Sequence, residues 1–388
     1  MLYREKNIAE LTELATFFPV VVLVGPRQVG KTTLAKLYAE ANKQAYIYLD
    51  IERPSDEDKL KDAERYLTEN AEKVFIIDEV QRKPSLFSLL RSLVDENPRP
   101  GRFILLGSAS PHIIKGISET LAGRSYLMEL HPFSLAELKD TIPFEKHFFY
   151  GGFPKAVLTT SPRMASLWIK GFIQTYLERD LPLLDMPATP ALMRRLWSML
   201  AHQNGQLTNY TAIGNALGLS YNTIKRYLDF MEGAFLITQL QPFIPNSSKK
   251  LVKAPKVYIR DTGILHSLID VKDYDQLQGH IALGGSWETY VLAQLRASLS
   301  DQYSFYFYRT HAGAEIDIII AKAEIAVATV EIKYSTNPSI SRGYYSALED
   351  IGVEKNYVIV PGTADYPIND KARIIGIYPF IEKYIHLI

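Results

Sequence analysis

One stretch of this chain is suited to holding a polyphosphate. Gly25-Pro26-Arg27-Gln28-Val29-Gly30-Lys31-Thr32-Thr33 fits the pattern G-x-x-x-x-G-K-[ST]. In that pattern glycines let backbone N–H groups close around phosphate oxygens, and the helix that follows turns its positive end toward them. Lys31 reaches the outer phosphates as a point charge, and the Thr32 hydroxyl completes the shell of a magnesium ion that keeps several waters. A carboxylate pair, Asp78 and Glu79, follows further along. Asp78 suits the same magnesium, and Glu79 is placed to orient and deprotonate an attacking water. These residues predict ATP and Mg2+ as ligands and hydrolysis as the chemistry. The plainer alternative is a chance loop and a solvated strand end.

A second group lies in the last third. Glu288 falls on an amphipathic helix, Asp317 on one strand, and Glu331 and Lys333 on the next, at the i, i+2 spacing that points both to one face. Three carboxylates and a lysine can converge there. Hard oxygen ligands of this kind suit magnesium or manganese, which would activate water against a phosphodiester while the lysine stabilises negative charge. A cross-strand ion pair on a solvated face is the bland reading.

The first group needs a sheet to position it. "VVVLV" (20–24) and "VFIID" (74–78) lack alternation, as strands buried on both faces do. "AYIYLD", "RFILLGSAS" and "RSYLMEL" add three more strands with helical stretches between, which predicts a parallel sheet over about the first 135 residues. Ser108 or Ser110, past the fourth strand, either bonds the γ-phosphate or the lytic water, or is a polar turn. Arg124 is a candidate to pair with phosphate of its own or a neighbouring subunit.

The segments "GPRQVGKTTL", "VFIIDEVQ", "FILLGSAS" and "GRSYLMELHPFSLAEL" resemble prokaryotic AAA-family ATPases whose C-terminal half is known only as a domain of unknown function. "YGGFPKAVL", "YLERDL" and "KVYIRDTGIL" extend the likeness along nearly the whole chain. The resemblance implies a sheet of the AAA type, with nucleotide duties on Lys31, Thr32, Asp78, Glu79, Ser108 and Arg124. The C-terminal group resembles the PD-(D/E)xK nuclease superfamily, also called the restriction-endonuclease-like fold. That likeness implies metal duties for Glu288, Asp317 and Glu331 and a catalytic role for Lys333. The prolyl-aspartate of the superfamily is here "EID", so a domain that binds nucleic acid without cutting stays open.

Formal net charge is zero, but it is unevenly spread. Residues 190–260 hold nine Lys or Arg against two Asp or Glu, a concentration that suits a polyanion. "LTNYTAIGNALGLSYNTIKRYLDFMEGAFLI" reads as two helices joined at "LGLS", with Ile213, Leu217, Leu219, Ile224, Leu228 and Met231 inward and Ser220 as a cap. Tyr221, Asn222, Lys225 and Arg226 then face outward where a helix-turn-helix meets a major groove. A basic hairpin tip with Lys249 and Lys250 would make a wing along phosphates. DNA is the expected partner, although winged helices also serve as protein–protein spacers.

At 388 residues and 47% hydrophobic, the chain has room for several cores. The expected division of this α/β multidomain chain is an AAA-type P-loop domain (1–135), a helical connector or lid (136–190), a winged helix (191–260) and a nuclease-like α/β domain (261–388). With no cysteine, disulfides and thiolate metal sites are excluded. No long apolar run points to a membrane, and a cytoplasmic protein, as a homo-oligomer or ring, is expected. Two functions compete: an ATPase that remodels or processes DNA, and an ATP-dependent signalling or stress switch with protein-contact domains.

Overall fold

The structure is a computed structural model that describes residues 2–107, 119–181, 188–245 and 250–388. They form two compact units. One runs to Pro132 and takes in Gly233–Phe235; the other comprises Phe133–Glu232 and Leu236–Ile388.

In the first unit the run of valines and leucine at Val20–Val24 forms β1, and every residue of it is buried. Val20, Val22 and Val24 join one apolar cluster with Phe75, Ile77, Phe103 and Leu105, while Val21 and Leu23 join another with Ile76, Ile104 and Leu106. Cores on both faces are the reason the strand shows no alternation. β2 (Tyr46–Asp50), β3 (Val74–Asp78), β4 (Phe103–Leu106) and β5 (Ser125–Glu129) complete a parallel sheet in the order β2-β3-β4-β1-β5. β4 separates β1 from β3, and Phe103 is in register with both Val20 and Phe75. The loop after β1 and the carboxylates at the end of β3 therefore lie at the same edge of the sheet. Helices α1 (Glu5–Phe17) and α2 (Lys31–Ala41) cover one face through Leu11, Leu34 and Tyr38. Helix α3 (Ser85–Glu96) covers the other through Leu86, Leu90 and Leu93. Each such side chain stabilises by about 1.5–3 kcal/mol when fully withdrawn from water.

The second unit begins with helices α4 (Phe144–Tyr150), α5 (Pro162–Thr175) and α6 (Pro190–His202). Next come α7 (Tyr210–Leu217) and α8 (Tyr221–Gly233), separated by Gly218 in the left-handed region; Ser220 accepts the Thr223 amide at 3.2 Å. Ile213, Ile224, Leu228 and Met231 are buried, as their spacing predicts, whereas Leu217 and Leu219 are half-buried. β6 (Ile237–Pro242) and β7 (Lys256–Ile259) pair antiparallel behind them. This hairpin does not stand apart. Gln241 and Pro242 of β6 pair parallel with Tyr306 and Phe307 of β8 (Tyr303–Arg309).

The hairpin thus extends one mixed sheet, β12-β13-β11-β10-β9-β8-β6-β7. Its other members are β9 (Glu315–Lys322), β10 (Ile325–Ile332), β11 (Asn356–Val360), β12 (Asp365–Asn369) and β13 (Ala372–Gly376). Helices α9 (Thr262–Leu268), α10 (Leu283–Ser298) and α11 (Arg342–Ile351) lie between strands in the chain. "YGGFP" and "RDTGIL" meet: the Asp261 carboxylate accepts the Gly152 and Ile264 amides at 2.9 and 3.1 Å, so it caps α9 and anchors the turn. Gly151 has φ +72°, and a Cβ there would stand 2.2 Å from Asp261 Oδ1.

Candidate functional site

The phosphate-type loop is shaped by what lies under it. Gly25 has φ +144°, and a Cβ would sit 2.4 Å from the Leu130 carbonyl oxygen, so no side chain fits. Lys31 opens α2 with its ammonium buried, donating to the Gly25 and Pro26 carbonyls at 3.0 and 2.9 Å. Burial lowers its pKa to about 8, against the opposing pull of Glu79 and Asp78. The Thr32 hydroxyl donates to Asp78 Oδ2 at 2.6 Å, joining residues 46 apart as their types predict. Tyr48, whose role no local pattern announces, donates its hydroxyl to the same oxygen at 3.0 Å.

Glu79 is held by the loop itself. Its carboxylate lies 3.6 Å from the Arg27 guanidinium and accepts from the Gln81 amide. Burial raises its pKa, with Arg27 pulling the other way. Glu79 and Gln28 both have positive φ, +54° and +60°. Such conformations cost on the order of 1 kcal/mol or more and gather at functional loops.

Among the described residues no three His, Asp or Glu side chains are grouped to hold a metal alone. At the loop this fits magnesium, which takes most of its shell from phosphate and water and needs only one or two protein oxygens such as Thr32 and Asp78. Arg124 is not brought here. It precedes β5 beside Val20, at the opposite end of β1 from the loop, about 13 Å away by strand rise. Its guanidinium grips Asp95 at 2.5 and 3.0 Å. The distance removes it from its own chain's phosphates. Ser108 and Ser110 lie outside the described residues.

The C-terminal group comes together with unexpected company. Asp317 Oδ2 accepts the Ile332 amide at 2.9 Å, and Oδ1 lies 3.5 Å from Lys256 Nζ. Lys256 also reaches Glu315 at 3.0 Å. Lys333 pairs with Glu331 at 2.7 Å, so the i, i+2 pair does share a face. Glu331 Oε2 is buried with no hydrogen-bond partner. Glu288 accepts from Tyr258 at 2.7 Å.

Burial, reinforced by Asp317, pushes Glu288 up to about 7 and Glu331 up to about 8. Burial alone would lower Lys256 and Lys333, but the surrounding carboxylates outweigh it and hold both above the usual lysine range. Lys256, one of the nine basic residues counted between 190 and 260, is only 3% exposed and lies on a strand whose residues are all buried. Asp317 thus lies near enough to act on both Glu288 and Glu331, with Lys256 beside it, although among the described residues no trio of carboxylates is arranged to hold a metal ion.

On α8, Tyr221, Asn222, Lys225 and Arg226 are exposed, and so is Lys250. Lys249 lies outside the described residues.

The five-stranded parallel sheet, with Lys31 under its loop and Thr32 against Asp78, defines a P-loop ATPase-type unit, and residues 18–139 match the AAA domain family. Residues 142–275 and 283–380 match two domains of unknown function, DUF8612 and DUF4143. Uncharacterized proteins of Mycobacterium bovis and Mycobacterium tuberculosis are each 38% identical over 370 residues, covering 95% of this chain and 82% of theirs. The chain belongs to the family of these mycobacterial proteins. An uncharacterized protein of Haemophilus influenzae is 24% identical over 305 residues, 70% of this chain and 74% of its own.

Among solved structures, the Walker-type ATPase of Pyrococcus abyssi is similar at 15% identity and TM-score 0.46, covering 69% of this chain and 96% of its own. The RuvB Holliday junction branch migration motor of Thermotoga maritima is similar at 18% identity and TM-score 0.32, covering 61% and 90%. At those scores neither bears on function. No helix among the described residues is long and apolar enough to cross a membrane.

Proposed function

We propose that this protein is a magnesium-dependent ATP hydrolase whose nucleotide cycle acts on DNA. The observation that carries the first half is the contact of Thr32 with Asp78 beside the buried Lys31. Magnesium-bound triphosphate would supply an electrophilic γ-phosphorus with its charge partly neutralised. Lys31 would exchange its two loop carbonyls for phosphate oxygens, a stronger partner for a buried ammonium. Thr32 and Asp78 would present hard oxygens to the ion. Glu79 would take a proton from water at its carboxylate, and its raised pKa suits that task better than an ordinary glutamate's would. Arg27, a residue of the loop, lies 3.6 Å from Glu79 and would orient that carboxylate.

The exposed face of α8 supports the second half. Tyr221, Asn222, Lys225 and Arg226 occupy the N-terminal part of the second helix of a helix-turn-helix, the part that meets base edges and phosphates in such folds. We read the chain as a P-loop domain followed by helical connector, winged-helix and restriction-endonuclease-like parts, with DNA bound and not cut. The test is ATP turnover with and without duplex DNA at rising salt, with Lys31→Ala as control. Stimulation by DNA that fades steeply with salt is expected. Turnover indifferent to DNA would sink this reading in favour of a signalling switch.

A further inference from the structure

We propose that the Lys256 ammonium is the resident counter-ion of the C-terminal acidic cluster, standing where a divalent cation would sit, and that the cluster is a metal-independent joint fixing the β6–β7 hairpin to the sheet. Each carboxylate a metal would need already has a protein partner on at least one oxygen, and only Glu331 Oε2 among the oxygens of Asp317 and Glu331 is left without one. Asp317 gives one oxygen to the Ile332 amide and the other to Lys256, Glu315 gives one to Lys256, Glu331 one to Lys333, and Glu288 one to Tyr258. Magnesium requires a near-octahedral shell at about 2.0–2.1 Å, and three carboxylates here are not grouped to provide it.

Lys256 cannot simply swing aside. It is 3% exposed, on a strand buried along its whole length. Its backbone is pinned on both sides by pairing with Leu240 and Leu207. Admitting a metal would leave a displaced ammonium without a partner in the interior, or force β7 to move.

The same strand makes further buried ties. Asn204 accepts the Ile259 amide at 2.8 Å and donates to Thr289 of α10 at 2.9 Å, while Tyr258 reaches Glu288 on that helix. Hairpin, helix and β9 are thus cross-linked through polar side chains. A pair of charges fixed this way sets register rather than chemistry.

The test is Mn2+ binding by the full-length protein in nucleotide-free buffer, followed by the paramagnetic signal of free Mn2+. Wild type is expected to bind none below about 1 mM, since each carboxylate of the cluster already holds a protein partner. Lys256→Met should gain a site at least tenfold tighter, which Asp317→Asn in the same chain removes. Should Lys256→Met fail to fold, Lys256→Arg must restore folding and stay free of Mn2+. The proposal is overturned if wild type binds Mn2+ in a manner abolished by Asp317→Asn. It is also overturned if folded Lys256→Met gains no site, or if Lys256→Arg neither folds nor excludes the ion.

Discussion

Two titrations at the nucleotide loop set the expected pH behaviour. Lys31, lowered to about 8 by burial, loses its charge as pH rises through that value, and with it the attraction for phosphate. Glu79, raised by burial, is protonated and useless as a base as pH falls below its shifted value. The profile of kcat/KM for ATP should therefore be bell-shaped, with an alkaline limb near pH 8 and an acid limb above the ordinary glutamate range. Lys31→Arg should lose the alkaline limb, because a guanidinium stays charged, whatever it does to the height of the curve. Glu79→Gln should keep nucleotide binding and lose turnover by roughly 10²–10⁴-fold, measured by filter binding and phosphate release. Equal loss of both would show that Glu79 holds the loop together and does no proton transfer.

At the scale of elements, the junction of the "YGGFP" turn with α9 is the sharpest case. Asp261 is buried, its pKa pushed up to about 6 by burial while the Gly152, Ile264 and Gly263 amides pull it down. A methyl at Gly151 would strike its carboxylate and also demand a left-handed backbone. Gly151→Ala is expected to destabilise the second unit by about 2–4 kcal/mol, from overpacking plus backbone strain. Calorimetry should show one transition lowered by several degrees. Asp261→Ala removes the cap and leaves buried amides unpaired, for about 1–3 kcal/mol. If neither moves the transition, the turn is not held as the geometry implies.

For the whole molecule, the issue is whether the basic face of α8 communicates with ATP turnover. Reversing Lys225 and Arg226 to Glu should weaken duplex binding by roughly tenfold or more and reduce the salt slope by about 2, one for each phosphate that is no longer neutralised. The DNA-stimulated part of ATP turnover should fall in step, as read by a coupled phosphate assay. Stimulation that survives this charge reversal would place DNA on another face. Lys256 contributes nothing to the basic surface, since its charge is consumed inside the second unit.

What the sequence determined by itself were the features written in contiguous residues. The loop 25–33, the unalternating strands Val20–Val24 and Val74–Asp78, and the stripe Ile224, Leu228, Met231 all follow from local spacing and appear where that spacing puts them. The pairing of Thr32 with Asp78 was legible too, because a magnesium site of this type requires both. Tertiary structure decided the rest. Tyr48 joins Asp78 only through the β2–β3 register, and Arg124 is carried to the far edge of the sheet by the direction of β5. Lys256 is drawn among the acids because β7 pairs with β6, β6 with β8 and β8 with β9, a chain of pairings that brings its ammonium to Glu315 and Asp317, some sixty residues downstream. Charge counted along a chain treats every lysine as solvated, and long-range strand pairing is what withdraws Lys256 from water.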